Sequence, residues 1–134
     1  MDYFVIRLKR NDDLKKSITK FAKENNIDAG AIVSAVGSVS EVRIRKADGV
    51  NEYFELRDHE ILSLSGTISK DGVHLHISLS NDNMRVIGGH LLDGTIVNTT
   101  CELVIMKFNK YSLSREFDEE TGYNELVVVE NEKK

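Results

Sequence analysis

Period-two alternation governs the middle of this chain, and a chain built that way buries its apolar side chains as strands of a sheet. Over residues 60–69, Leu62, Leu64, Gly66 and Ile68 fall on one face, and Ser63, Ser65 and Thr67 on the other. Lys70-Asp71-Gly72 carries the Asp-Gly pair of a tight hairpin turn, and residues 74–80 resume with Leu75, Ile77 and Leu79 facing the core. Upstream, Ser40, Val42 and Ile44 share a strand face, residues 47–50 turn, and residues 52–57 form another strand. Downstream come a turn at 81–83, a short strand at 84–87, a turn at Asp93-Gly94, a long central strand over 95–108 and a last strand at 125–129.

The N-terminal quarter has a different period. Residues 2–9 read as an opening strand rather than a leader peptide. Leu14, Ile18, Phe21 and Ala22 then recur at helical spacing behind Asn11-Asp12-Asp13, where Asp12 is the favoured N-cap; the helix ends near Asn25-Asn26. The small residues of 29–37, bracketed by Gly30 and Gly37, read as a short second helix or turn packed against backbone. One helix followed by many strands predicts an α+β domain on a largely antiparallel sheet.

The 134 residues suit one domain over 1–130, with 131–134 as a solvated tail. No apolar run approaches the roughly 20 residues that span a bilayer. The single Cys101 excludes an internal disulfide, which points to a reducing cytoplasm, and its apolar neighbours make it a small core residue. A formal charge of −4 argues against a domain that grips duplex DNA alone, since such binding replaces counterions with basic side chains. The one basic cluster is Arg43-Ile44-Arg45-Lys46, where Arg43 and Arg45 share a face that grips a phosphate or lies solvated.

Three of the four histidines cluster at His74, His76 and His90. On a strand His74 and His76 share the face opposite Leu75 and Ile77, with Cβ atoms about 7 Å apart. Gly88-Gly89 gives the third imidazole freedom of approach. Three imidazoles with a fourth position left for water form the ligand set of a catalytic zinc centre. The same face also serves as a pocket wall, a subunit contact or a solvated surface. No carboxylate lies within the H-x-H strand; Asp82 and Asp93 are the nearby acids, both in turns, and Arg85 is a candidate to orient an anion. His59, in Arg57-Asp58-His59-Glu60, reads as a solvated turn residue.

The order Ile61-Leu-Ser-Leu-Ser-Gly-Thr-Ile-Ser69, His74-Leu-His-Ile-Ser-Leu79, Val86-Ile-Gly-Gly-His-Leu-Leu-Asp-Gly-Thr-Ile-Val97 and Thr100-Cys-Glu-Leu-Val-Ile105 resembles the PPC domain shared by plants and prokaryotes. Ala29-Gly-Ala-Ile32, Gly37-Ser-Val39 and the ending Phe117–Leu126 fit the prokaryotic single-domain type. The resemblance implies an α+β fold with a mainly antiparallel, strongly bent sheet; with the two helical segments read above, the expected fold has one long N-terminal helix and a short second helix. It also implies a homotrimer, protein partners, and a metal or small-ligand cluster at His74, His76 and His90 near a subunit boundary. The donor chemistry of three imidazoles makes a divalent transition metal, zinc first, the expected cofactor. The family's DNA-binding label comes from plant members with a separate AT-hook, an Arg-Gly-Arg-Pro core. This chain has no proline and therefore no such core. An interaction module with a metal site is the expected function; a small zinc enzyme that activates water is the alternative.

Overall fold

The computed structural model describes residues 1–132. The elements are β1 (Asp2–Lys9), α1 (Leu14–Glu24), β2 (Ala29–Arg45), β3 (Glu52–Ser69), β4 (Gly72–Asn81), β5 (Val86–Leu91), β6 (Ile96–Lys107), β7 (Tyr111–Phe117) and β8 (Asn124–Glu130). The first six strands form one antiparallel sheet in the order β1-β6-β2-β3-β4-β5, and β7-β8 is a separate hairpin. β5 also pairs back onto the end of β2, through Ile44↔Leu91 and Arg45↔His90. The sheet thus curls until β2, β3, β4 and β5 form a ring, and this closure builds the site described below. Among the described residues no helix is long and apolar enough to cross a membrane.

Two parts of the expected α+β fold fail. The helix is one short element of 11 residues, not a long one, and there is no second helix among the described residues. Residues 29–37 are the first half of β2, hydrogen-bonded to β3 on one side and β6 on the other. Ala29, Gly30 and Ile32 are buried there in near succession, which erases the alternation that marks a half-buried strand. Gly30 is small because β6 runs beside it: a Cβ would lie 2.5 Å from the Met106 carbonyl oxygen. The architecture is a mostly antiparallel β-sheet with a single short helix.

β3 is one strand where two were expected, and bulges are the reason. Register shifts fall between Val39 and Glu41 on β2 and between Ile61 and Ser63 on β3. An extra residue in one strand reverses which side chains face the core beyond it. Ile61 is accordingly 4% exposed, while Leu62, expected beside Leu64 on the core face, is 52% exposed.

The helix follows its sequence closely. Leu14, Ile18 and Ala22 are buried, and Phe21 meets Phe4 of β1 edge-on at 5.6 Å. Asp13, rather than Asp12, is the N-cap: its Oδ1 accepts from the Lys16 amide and its Oδ2 from the Gly94 amide. Asp12 accepts instead from the Lys9 amide and closes the turn out of β1. Leu75, Ile77 and Leu79 of β4 are buried as expected, each worth about 2 kcal/mol in transferred apolar surface. They hold β4 so that its alternate side chains point into the site.

Of the expected tail, residues 131 and 132 lie beyond β8, with Asn131 bonded to Lys110 and Asn109; residues 133 and 134 lie outside the described residues.

Candidate metal centre

His76 of β4 and His90 of β5 are direct cross-strand partners, and His74 lies two residues before His76 on the same face. The three rings stand 5.0 to 5.6 Å apart between centroids. One ligating atom from each lies within 4.8 Å of the others. Nitrogens bound to one tetrahedral ion at 2.0–2.1 Å would be about 3.4 Å apart, a distance short side-chain rotations supply.

Gly88 and Gly89 position the third ring through close approach, not through an unusual backbone. A Cβ on Gly88 would lie 2.7 Å from the Ile77 carbonyl oxygen, and one on Gly89 would lie 2.6 Å from that of Arg45. The pair lets β5 run between β4 and β2, and any larger residue would push the ring open.

The residues fit an ion chemically as well as geometrically. His90 Nδ1 is buried and has no hydrogen-bond partner among the described residues, a condition that costs about 1–3 kcal/mol unless a ligand relieves it. Burial, then the charge of Arg45, pushes His90 down to about 4. His74 is lowered for the same first reason, with Arg115 next. Both rings stay neutral near pH 7, which is the form that donates a lone pair to a metal.

A cleft opens beside the cluster, lined by Arg45, Asp71, Arg115, Tyr123 and Glu125 together with His74 and His90. Arg45 faces His90 across the β2–β5 closure, and its guanidinium lies 6.0 Å from the Tyr123 ring. Arg115 reaches from β7: its amide donates to Asp71 at 2.8 Å and its guanidinium to the Thr67 hydroxyl at 3.3 Å. Thr67 is the β3 partner of His74, so this contact ties the hairpin to the cluster. Glu125 supplies a carboxylate to the same cleft, the group that the H-x-H strand itself lacks. A metal-bound water and a nearby carboxylate are the parts used in hydrolytic chemistry.

Other sequence candidates lie elsewhere. Asp82 is paired with Arg57 at 2.7 Å, and Arg43 with Glu52 at 3.5 Å beneath the Phe54 ring. Asp93 lines a separate groove along α1, and Arg85 lines one with Tyr53, Glu55 and His59. His59 is not solvated: it is 2% exposed within β3, with Nδ1–H donating to the Arg57 carbonyl at 2.9 Å and Nε2 3.7 Å from Glu55. Arg115, Tyr123 and Glu125 were not singled out in the sequence, although the last two belong to the ending Phe117–Leu126.

Residues 1–109 match the Plants and Prokaryotes Conserved (PCC) domain. Over 125 residues the chain is 41% identical to a bifunctional protein GlmU from Synechococcus sp. (strain JA-3-3Ab), covering 93% of this chain and 20% of that one. The chain therefore spans about a fifth of the length of that curated relative. A structure from Salmonella cholerae-suis superposes with a TM-score of 0.92 at 29% identity, covering 96% of this chain and 94% of the other. A metal-containing protein from Archaeoglobus fulgidus superposes with a TM-score of 0.79 at 30% identity, covering 95% and 94%.

Proposed function

We propose a function from the premise that the chain belongs to the Plants and Prokaryotes Conserved domain family: it is a metal-binding interaction module, not an autonomous DNA binder. His74, His76 and His90 hold one divalent transition ion, zinc first, with water or an exogenous ligand completing the shell. The observation that carries this is the convergence of three imidazoles, one of which, His90, has a buried nitrogen that no group among the described residues satisfies. The metal content of the Archaeoglobus relative supports it. Neutral imidazole suits Zn²⁺, Cu²⁺ or Ni²⁺. When bound, the ion supplies a Lewis acid at the mouth of the Arg45–Arg115 cleft.

The module acts as a homotrimer. The family resemblance is the main support. A second is the outward face of the β1–β6 pair, where exposed Tyr3 and Val5 sit beside Met106 and Val104. Apolar rows of this kind on an outer sheet face mark a contact surface. Sedimentation equilibrium should return three times the chain mass; a mass near 15.1 kDa at tens of micromolar ends the trimer. With a charge of −4 and no AT-hook, the protein should shift neither AT-rich nor random duplex at micromolar concentration.

Elemental analysis of untagged protein tests the ion directly. Calorimetric titration of zinc into stripped protein should show one site per chain, and His76→Ala should weaken it by orders of magnitude. Equal affinity in parent and variant would return the histidines to a polar lining.

A further inference from the structure

Two guanidiniums of this sheet are paired with carboxylates at close range, whereas the two beside the histidines are not. Arg43, two residues before Arg45, is matched by Glu52, and Arg57 by Asp82. Among the described residues neither Arg45 nor Arg115 has a carboxylate oxygen within 4.0 Å of its guanidinium. Each is held in place by uncharged partners instead. Arg45 lies over the Tyr123 ring, under a turn where a Cβ on Gly49 would come 3.3 Å from its terminal nitrogen. Arg115 is tethered through Thr67. Fixed guanidiniums with unused donors are built for a planar or tetrahedral oxyanion.

Cross-strand register sets where such an anion would lie. Arg45, His90, His76 and Ser65 form one row across β2, β5, β4 and β3. Arg115 enters beside His74 from the opposite side, through Thr67. The two cations therefore flank the imidazole cluster. The cleft's charges give a second argument. Asp71 and Glu125 line the same cleft and balance the two guanidiniums. A bound dication would then be uncompensated, because the imidazoles that hold it are neutral.

We propose that this cleft is the receptor for a small oxyanionic molecule, a carboxylate or a phosphate, gripped by Arg45 and Arg115 with one oxygen directed at the metal. This rests on the metal reading above and adds the class of ligand. Asp71 and Glu125 make the metal-free cleft close to neutral, so oxyanion binding depends on the ion. The cleft has room for a compound of metabolite size.

The test is calorimetric and needs no turnover. Malonate and inorganic phosphate are titrated separately into zinc-loaded parent, metal-stripped parent, Arg45→Gln and Arg115→Gln. One of the two probes should bind the loaded parent at one site per chain, and which one binds distinguishes a carboxylate from a phosphate ligand. Each arginine variant should bind that probe about tenfold or more weakly, the worth of a charge-assisted hydrogen-bonded contact. Both should keep parental zinc affinity, or slightly exceed it with a positive neighbour removed. Stripped parent should bind neither probe. Zinc uptake without oxyanion binding, or equal oxyanion binding by parent and both variants, overturns this proposal alone. Absence of zinc uptake by the parent overturns the metal reading and this proposal with it.

Discussion

His76 and His90 are directly opposed across the β4–β5 pairing, their ring centroids 5.6 Å apart, so one register of one strand pair assembles most of the cluster. A slip of one residue would turn His76 inward and Leu75 or Ile77 outward. The buried Leu75, Ile77 and Leu79 of β4 therefore protect the ligand geometry without touching an ion. Substituting a histidine on this face should leave the fold intact, because the core side of β4 is unchanged.

His59 should behave in the opposite way. It is buried in β3 between Glu55 and the Arg57 carbonyl, close to the bonded pair Tyr53 and Glu55. His59→Ala should lower stability by about 1–3 kcal/mol, through a lost hydrogen bond and a small cavity. Zinc affinity should be unchanged, since His59 lies outside the cluster. Denaturant unfolding beside a zinc titration separates the two effects; an inert variant would mean the side chain is not packed as described.

The contrast between His59 and the cluster shows what the sequence can and cannot reveal. Strand parity alone put His74 and His76 on one face, because β4 alternates without a break from His74 to Ser80. The same reasoning failed on Leu62, where a bulge reverses the parity, and on 29–37, where a strand paired on both sides shows no alternation. His59 lies between the register shifts of the β2–β3 and β3–β4 pairings, so its polar neighbours suggested a turn that does not exist. Arg45, Arg115 and Glu125 meet only because β5 closes on β2 and the β7–β8 hairpin folds over the gap. No local period encodes that. The ending Phe117–Leu126 was a visible motif without an assigned role, and its place over the cleft supplies one.

Acid should weaken the metal-free protein through its histidines. His74 and His90 are held below the ordinary 6.5, His90 near 4, so the folded chain resists protonation where the unfolded chain accepts it. Between those values the unfolded state binds more protons, and stability falls as pH drops. The contribution is intact above about 6.5 and is progressively lost toward about 4. Melting temperature of stripped protein should decline across this window, and less steeply in His90→Asn. Identical slopes in the two proteins would show that His90 is not desolvated. Zinc affinity should fall in the same direction, since protons compete for the ligating nitrogens.

Cys101 should be chemically silent. It is fully buried on β6 opposite Leu8 and Gly37, and burial pushes its thiol up to about 11. The thiolate is the reactive form, so an aromatic disulfide reagent at pH 8 should not label the native protein within the time it labels the denatured one. Rapid native labelling would mean that β6 opens locally. Cys101→Ser should destabilise the fold, because a hydroxyl would be placed in an apolar site.

Removing residues 127–134 separates the hairpin from the main sheet. Among the described residues the run Val127-Val128-Val129 pairs with Ser112, Leu113 and Ser114 of β7 and not with the main sheet. Val128 and Val129 are each 55% exposed, so their loss forfeits little core. The main consequence falls on Leu113, which is buried, and on Arg115, two residues further along the same strand. Truncation should therefore lower the melting temperature modestly while loosening the grip of Arg115 on Thr67 and Asp71. Zinc binding should persist, because all three ligands come from β4 and β5. Oxyanion binding by the zinc-loaded protein should weaken at least as much as in Arg115→Gln. A truncated protein that binds the oxyanion like the parent would show that the cleft does not need an ordered hairpin.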